Sequence, residues 1–217
     1  LPTQLQEYIH KSRYARWLTT ENRREHWEET VQRYVDYFDN KFPHFPKEEI
    51  KNAILNLKTM PSMRALMTAG PALERDPIAG FNCSFVAIDD PRAFDEILYI
   101  LMCGTGVGFS VERQHIAQLP IVGIDIGFTA LGKPVIKTKD KLQPINYTIT
   151  VEDSKQGWAS AYRNLLEHLY TGYVPSWDVS LVRPAGAKLV TFGGRASGPD
   201  PLVDLFKFTI ETFKQAC

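Results

Sequence analysis

The chain has 217 residues and carries 25 Lys and Arg against 25 Asp and Glu, a formal net charge of zero. That balance argues against a general nucleic-acid or membrane surface, and no apolar run approaches the ~20 residues needed to cross a bilayer. Three cysteines are too few and too odd in number for a disulfide framework, and they fit a reducing cytoplasm. The first residue is Leu1, and Cys217 falls inside an amphipathic pattern with no Gly, Asn or Pro to stop it. The expectation is a piece of a longer polypeptide.

Residues 3 to about 58 read as helical. Tyr8, Trp17, Trp27, Val31, Tyr34 and Phe38 recur near helical spacing among Lys, Arg and Glu. The Phe42–Pro46 stretch breaks the run, and 47–57 predicts another short helix. From about residue 60 the texture becomes strand, helix, strand. Phe81 to Ile88 has the Phe, Val and Ile content of a buried strand. Asp90-Pro91 then predicts a helix start, with Phe94, Ile97, Leu98 and Leu101 as its apolar stripe and Gly104 as its stop. Val107 to Val111 is the next strand, and the default link between the two is a right-handed parallel crossover. Residues 114–150 read as irregular, with strands at 135–136 and 147–151. A strong helix spans 153–170, with Trp158, Tyr162, Leu165 and Leu169 on one face. A strand is expected over 178–182 and a loop over 193–199. A helix then begins at Asp200-Pro201, with Leu202, Leu205, Phe206, Thr209 and Phe213 turned inward. Strands alternating with helices predict an α/β sheet or barrel, with ligands at the carboxyl ends of its strands.

Few residues stand out as chemistry. Cys83 reads either as a small hydrophobe in a core strand or as a redox thiol; no basic neighbour in sequence depresses its pKa, so pairing with a second thiol suits it better than hydrolysis. Gly104-Thr105-Gly106-Val107-Gly108 is neither a P-loop nor a dinucleotide fingerprint. It reads as a helix stop and tight turn, or as backbone that a ligand can approach closely. Ser62, after Pro61, reads as a helix cap or a phosphate contact. Cys103 reads as core, Cys217 cannot be assigned, and Asp89 and Asp90 are explained by capping. His10, His26, His44, His115 and His168 lack metal-ligand spacing, so no metal site is expected. Lys137, Lys139 and Lys141 read as a solvated edge.

Taken in order, Met60-Pro61-Ser62-Met63-Arg64, Asn82-Cys83-Ser84-Phe85, Cys103 through Arg113, Asp153 through Trp158, and Arg183-Pro184-Ala185-Gly186 with Gly193 through Pro199 resemble the amino-terminal half of a ribonucleotide reductase. The closest likeness is to the adenosylcobalamin-dependent class, in its monomeric branch acting on ribonucleoside triphosphates. The resemblance covers nearly all of residues 60–217; the helical start matches less sharply.

The resemblance implies a ten-stranded α/β barrel of two five-stranded halves. Residues 1–58 would be an N-terminal helical region and 59–217 the first half of the barrel. By the same likeness, Cys83 would be one of the two cysteines that reduce the ribose. Ser62 and Asn82 would lie at the substrate, Thr105 and Gly106 in the turn against the nucleotide, and Val111, Glu112, Arg113, Gln114 and His115 at the start of a deoxynucleotide effector region. The cofactor would be adenosylcobalamin, held mostly by residues outside this segment, and the reductant thioredoxin-like. The radical cysteine and the second reducing cysteine belong to the family's other half, so the isolated chain is expected not to turn over. A different reading is a non-catalytic nucleotide-binding half-barrel that regulates or scaffolds a partner. An intein beginning at Cys217 is a third reading for the end of the chain. A glycyl-radical enzyme on the same barrel is disfavoured by the residues around Cys83.

Overall fold

A computed structural model describes residues 1–128, 134–138, 141–189 and 194–216. Lys139, Gly193 and Cys217 lie outside the described residues, as does the side chain of Lys137. The described residues group into two compact units. The first is Leu1–Cys83 together with Cys103–Thr105. The second is Ser84–Met102 and the described residues from Gly106 onward.

In the first unit, α1 (Gln4–Ile9) starts at Thr3, whose hydroxyl accepts from the Gln6 backbone while the Gln6 side chain accepts from the Thr3 backbone. This reciprocal cap satisfies two N–H groups that the first turn leaves open. A single π turn, His10–Tyr14, follows. The helical expectation fails over the next ten residues. Here β1 (Trp17–Leu18) and β2 (Arg23–Arg24) form an antiparallel pair closed by Asn22 at φ 53°. Trp17 and Tyr8 are exposed and off the core. α2 (Trp27–Asp39) restores the pattern: Trp27, Val31 and Val35 recur every four residues and bury one stripe. That stripe packs with Ile54 of α3 (Lys47–Leu55) and Leu66 of α4 (Met63–Thr68). α5 (Pro71–Arg75) and the 3-10 turn Pro77–Gly80 add a small cluster of Ala69, Leu73 and Ala79 beneath Tyr34, Tyr37 and Phe38.

The hairpin in place of helix is explained by Glu25. Its side chain is 5% exposed and accepts from Arg33 Nε at 2.7 Å, Arg33 Nη2 at 3.0 Å, the Arg16 backbone at 3.0 Å and Thr30 Oγ1 at 2.8 Å. The Glu25 N–H in turn donates to the Arg16 carbonyl at 2.8 Å. Because the Thr30 hydroxyl proton goes to Glu25, the 2.9 Å contact with His10 is made by His10 Nε2–H donating. Arg33 also donates to the carbonyls of Leu66, Ala69 and Tyr14, and Arg16 to those of Met67 and Thr68. Periodicity cannot show this network, because its members are polar and far apart in sequence.

Burial holds the His10 imidazole below its usual 6.5. For Glu25, burial alone would raise the carboxyl, but Arg33, the Arg16 N–H and Thr30 outweigh it and hold the group below 4.5. In both cases the unfolded chain binds protons at a higher pH than the folded one. Stability is therefore complete at neutral pH and is lost on acidification, first below about 6.5 through His10 and then below about 4.5 through Glu25. Denaturation midpoints measured from pH 8 down to pH 4 are expected to fall in that order; a midpoint that stays constant or rises contradicts the assignment.

The second unit begins at Ser84, within β3 (Cys83–Ala87), which leads into α6 (Arg92–Met102) and back to β4 (Gly106–Ser110), the strand beside β3. Asp90 Oδ1 accepts from the Arg92 backbone at 2.8 Å, the expected start of α6. Ser84 Oγ donates to Gly106 O at 3.2 Å and Ile88 N to Ser110 O at 3.0 Å. The two contacts advance in the same sense along both strands, as the parallel crossover requires. The expectation of a buried strand is corrected: Phe85 is 68% and Phe109 61% exposed, and burial begins only at Ile88. Aromatic and β-branched content marks a surface that can be covered, and among the described residues these two rings are not.

A short helix, α7 (Arg113–Ile116), is followed by β5 (Ile124–Phe128) antiparallel to β6 (Pro134–Thr138), so the strand expected at 135–136 is half of a hairpin. β7 (Gln143–Thr150) and β8 (Tyr173–Asp178) are parallel and joined by α8 (Lys155–Tyr170). The strand expected over 178–182 instead ends at Asp178. There the Asp178 carboxylate accepts from Ser180 N at 2.9 Å and turns the chain. Ser154 caps α8 by accepting from Gly157 N at 2.9 Å. α9 (Asp200–Ala216) closes the core: Leu202, Phe206 and Ile210 meet Tyr162, Leu165 and Leu169 of α8 and Val151. Asp95 of α6, buried, is bound by Arg163 of α8 at 2.6 Å. The described sheets are two-stranded, and the class is mixed α/β. No described helix is long and apolar enough to cross a membrane.

Candidate active site

Cys83 opens β3 with its thiol free and exposed, and Asn82 before it is exposed as well. It is therefore not the buried small hydrophobe that residue type alone allows. The segment leading to it is pinned from within the first unit. Thr105, 1% exposed, has its hydroxyl 2.9 Å from both Ile78 O and Phe81 O. One proton is shared between two carbonyls, and both belong to the approach to Cys83. Thr105 as a whole is turned into the interior, and the exposed backbone of this turn belongs to Gly104 and Gly106. Cys103 is buried, as expected, and its Sγ donates to Asp76 Oδ2 at 2.9 Å.

Gly104 has φ 83°, which a residue without a Cβ adopts at no steric cost. A Cβ there would also stand 2.3 Å from Arg64 Nη2, and that nitrogen donates to Cys103 O at 2.9 Å. Ser62 is exposed and caps α4, its hydroxyl 3.5 Å from Ala65 N. The cap reading of Ser62 is therefore present in the structure, with the hydroxyl at the surface.

On β4, Gly106 and Gly108 are exposed; the Gly106 carbonyl takes the Ser84 hydroxyl, and a Cβ on Gly108 would touch the Phe85 ring at 3.8 Å. Bare backbone therefore lies beside Ser84 and Phe85, a low surface that a flat ring could approach. Farther on, Val111, Glu112, Arg113 and Gln114 are exposed at the start of α7, with His115 half-buried. Gln114 Nε2 donates to Glu112 Oε2 at 3.0 Å. An open cleft of ≈ 360 Å³ at the start of α6 is lined by Val86, Ala87, Asp89, Asp90, Arg92, Ala93 and Glu96. Among the described residues, no cluster of His, Cys, Asp and Glu could hold a metal ion.

Arg64 belongs to the first of the motifs that carry the resemblance, yet nothing in the sequence gives it a role of its own. Its partner Cys103 lies 39 residues away, and no local pattern signals the pairing. Asp76 escapes sequence reasoning for the same reason.

Residues 1–53 match a family model described as ribonucleotide reductase alpha domain, and residues 129–212 one described as B12-dependent ribonucleotide reductase, insertion domain. The chain is 31% identical over 255 residues to the adenosylcobalamin-dependent ribonucleoside-triphosphate reductase of Lactobacillus acidophilus, an alignment covering 91% of this chain and 34% of that protein. It is 30% identical to the enzyme of the same name from Lacticaseibacillus paracasei, over 90% of this chain and 34% of that one. A solved structure of a B12-dependent (class II) ribonucleotide reductase superposes with a TM-score of 0.76 at 27% identity, covering 97% of this chain and 37% of the other. The chain is thus similar along most of its length to ribonucleotide reductases of the B12-dependent class, and it spans about a third of the length of the curated relatives it matches.

Proposed function

We propose that this chain is the amino-terminal portion of an enzyme that reduces ribonucleoside triphosphates to deoxyribonucleotides by radical chemistry, and that Cys83 is one of its two reducing cysteines. The observation that carries this reading is the exposed, unpaired thiol of Cys83 at the head of β3, in a chain aligned along 91% of its length with such reductases. Residues 1–58 form the helical region and 59–217 about half of the ten-stranded barrel, whose other half covers the exposed Phe85 and Phe109. Ser62 and Asn82 contact the substrate, with Ser62 at its phosphates. Thr105 and Gly106 lie in the turn along the nucleotide, Gly106 through its exposed backbone and Thr105 buried behind it, holding the turn. Val111 through His115 begin the deoxynucleotide effector site. Adenosylcobalamin, when bound, supplies the radical; no residue of this chain is assigned to it.

The step that Cys83 performs balances within the proposed set of groups. The 2′ carbon of the ribose loses its hydroxyl as water and gains a hydrogen, the two electrons and two protons coming from a pair of thiols. Cys83 and a cysteine from the remainder of the polypeptide are oxidised to a disulfide, which a thioredoxin-like dithiol later reduces.

The test is disulfide mapping of the full-length enzyme, reduced beforehand, after one turnover without external reductant. Cys83 is expected in a disulfide with a cysteine outside residues 1–217. A Cys83 that remains a free thiol while deoxyribonucleotide forms overturns the reading.

A further inference from the structure

We propose that Arg64 is a positioning residue of the nucleotide site: its guanidinium occupies the space that the missing Gly104 side chain leaves, and so fixes the turn that runs along the nucleotide. The inference rests on the reading of Thr105 and Gly106 given above and assigns a task to a residue that touches neither substrate nor reducing thiol.

Arg64 is the second residue of α4, two positions after Ser62. Its Nη2 donates to the Cys103 carbonyl at 2.9 Å. A Cβ at position 104 would lie 2.3 Å from Nη2 and 3.2 Å from both Cζ and Nη1. The guanidinium therefore stands over the Gly104 backbone at a distance that only glycine permits. Gly104 is required for its φ of 83°, and its missing side chain leaves the space in which the guanidinium now sits. Arg64 Nε is buried with no hydrogen-bond partner among the described residues. Leaving a guanidinium N–H in that condition is costly, so the seat is one the neighbouring structure imposes on the side chain.

The same three residues are held at two further points. Cys103 Sγ is bonded to Asp76 and Thr105 Oγ1 to Ile78 and Phe81. α4, Asp76 and the turn before Asn82 thus converge on the three residues Cys103, Gly104 and Thr105. Arg64 differs from the other two anchors because it comes from the element that Ser62 caps. One side chain therefore ties the candidate phosphate hydroxyl to the candidate nucleotide turn. Released from Arg64, the carbonyl at 103 and the peptide after it gain freedom. A displacement of this kind weakens binding and orientation before it affects the fold.

The test is a set of variants in the full-length reductase, Arg64→Ala, Arg64→Lys, Gly104→Ala and the double variant, each followed by equilibrium binding of a ribonucleoside triphosphate, by KM and kcat, and by thermal unfolding. Arg64→Ala is expected to raise the dissociation constant and KM by about tenfold to a hundredfold, with kcat less affected. Arg64→Lys, which keeps one cationic donor, recovers part of the loss. Gly104→Ala displaces the guanidinium and also strains a backbone at φ 83°, so it is expected to bind at least as weakly as Arg64→Ala, and the double variant is expected to bind no worse than the weaker single one. Parental affinity and KM in Arg64→Ala overturn the inference, as do single defects that multiply in the double variant. If Arg64→Ala fails to fold, Arg64→Lys decides by the same readings. A parent enzyme that binds no ribonucleoside triphosphate overturns the proposed function itself; one that binds while every variant binds equally overturns only the role of Arg64.

Discussion

Cys83→Ser in the full-length reductase is expected to abolish deoxyribonucleotide formation while ribonucleotide binding stays near the parental level. Serine differs from cysteine at one atom, and Cys83 is an exposed residue at the end of a strand. Substitutions at such places change stability by no more than about 0.5 kcal/mol. What the hydroxyl cannot do is give up electrons by forming a disulfide, so under the proposed function the substrate's 2′ carbon has no source for the pair it needs. Product and binding are measured on the same preparation, in a single turnover of the reduced enzyme. Parental product yield would instead favour the non-catalytic nucleotide-binding reading for this part of the chain.

The second large effect is structural. Arg33→Ala is expected to destabilise the first unit by about 3–5 kcal/mol, the range for breaking one side of a buried ion pair. Two Arg33 nitrogens reach Glu25, and its fork also serves the carbonyls of Leu66, Ala69 and Tyr14. Removing it leaves a carboxylate that is 5% exposed without its counter-charge and three backbone oxygens without a donor. Lysine supplies the charge but not the fork, so Arg33→Lys recovers only part of the loss. Equilibrium denaturation measures both variants. A loss below about 1 kcal/mol in Arg33→Ala would show that the network is no more than an exposed pair.

The sequence was most legible where one period dominates. Tyr162, Leu165 and Leu169 of α8 and Leu202, Phe206 and Thr209 of α9 are buried as their spacing requires, and Asp90 begins α6 as its side chain allows. Cys103 lies in the interior, as expected. The pattern failed where polar groups set the structure. Residues 17–24 turn into a hairpin around Glu25, a charge that would ordinarily mark a solvated helix face. The strand expected over 178–182 stops because one carboxylate accepts from a backbone N–H two residues on. At the candidate site, the sequence singles out Cys83 and the glycine turn, since cysteine is scarce and glycine alone leaves backbone bare. The means by which the turn is held were not legible. Arg64 reaches Cys103 across 39 residues, and the Thr105 hydroxyl reaches back to Ile78 and Phe81. Such pairings are products of the fold, and no window of sequence contains both partners.

The proposed role requires the Cys83 thiol to face the space the nucleotide occupies, and a footprint of that thiol tests this most directly. In the full-length reductase under reducing conditions, iodoacetamide is expected to alkylate Cys83 readily and Cys103 only on unfolding, and a saturating ribonucleoside triphosphate is expected to slow the reaction at Cys83 several-fold. A Cys83 that resists alkylation in the free enzyme, or that reacts at the same rate with the nucleotide bound, would contradict it.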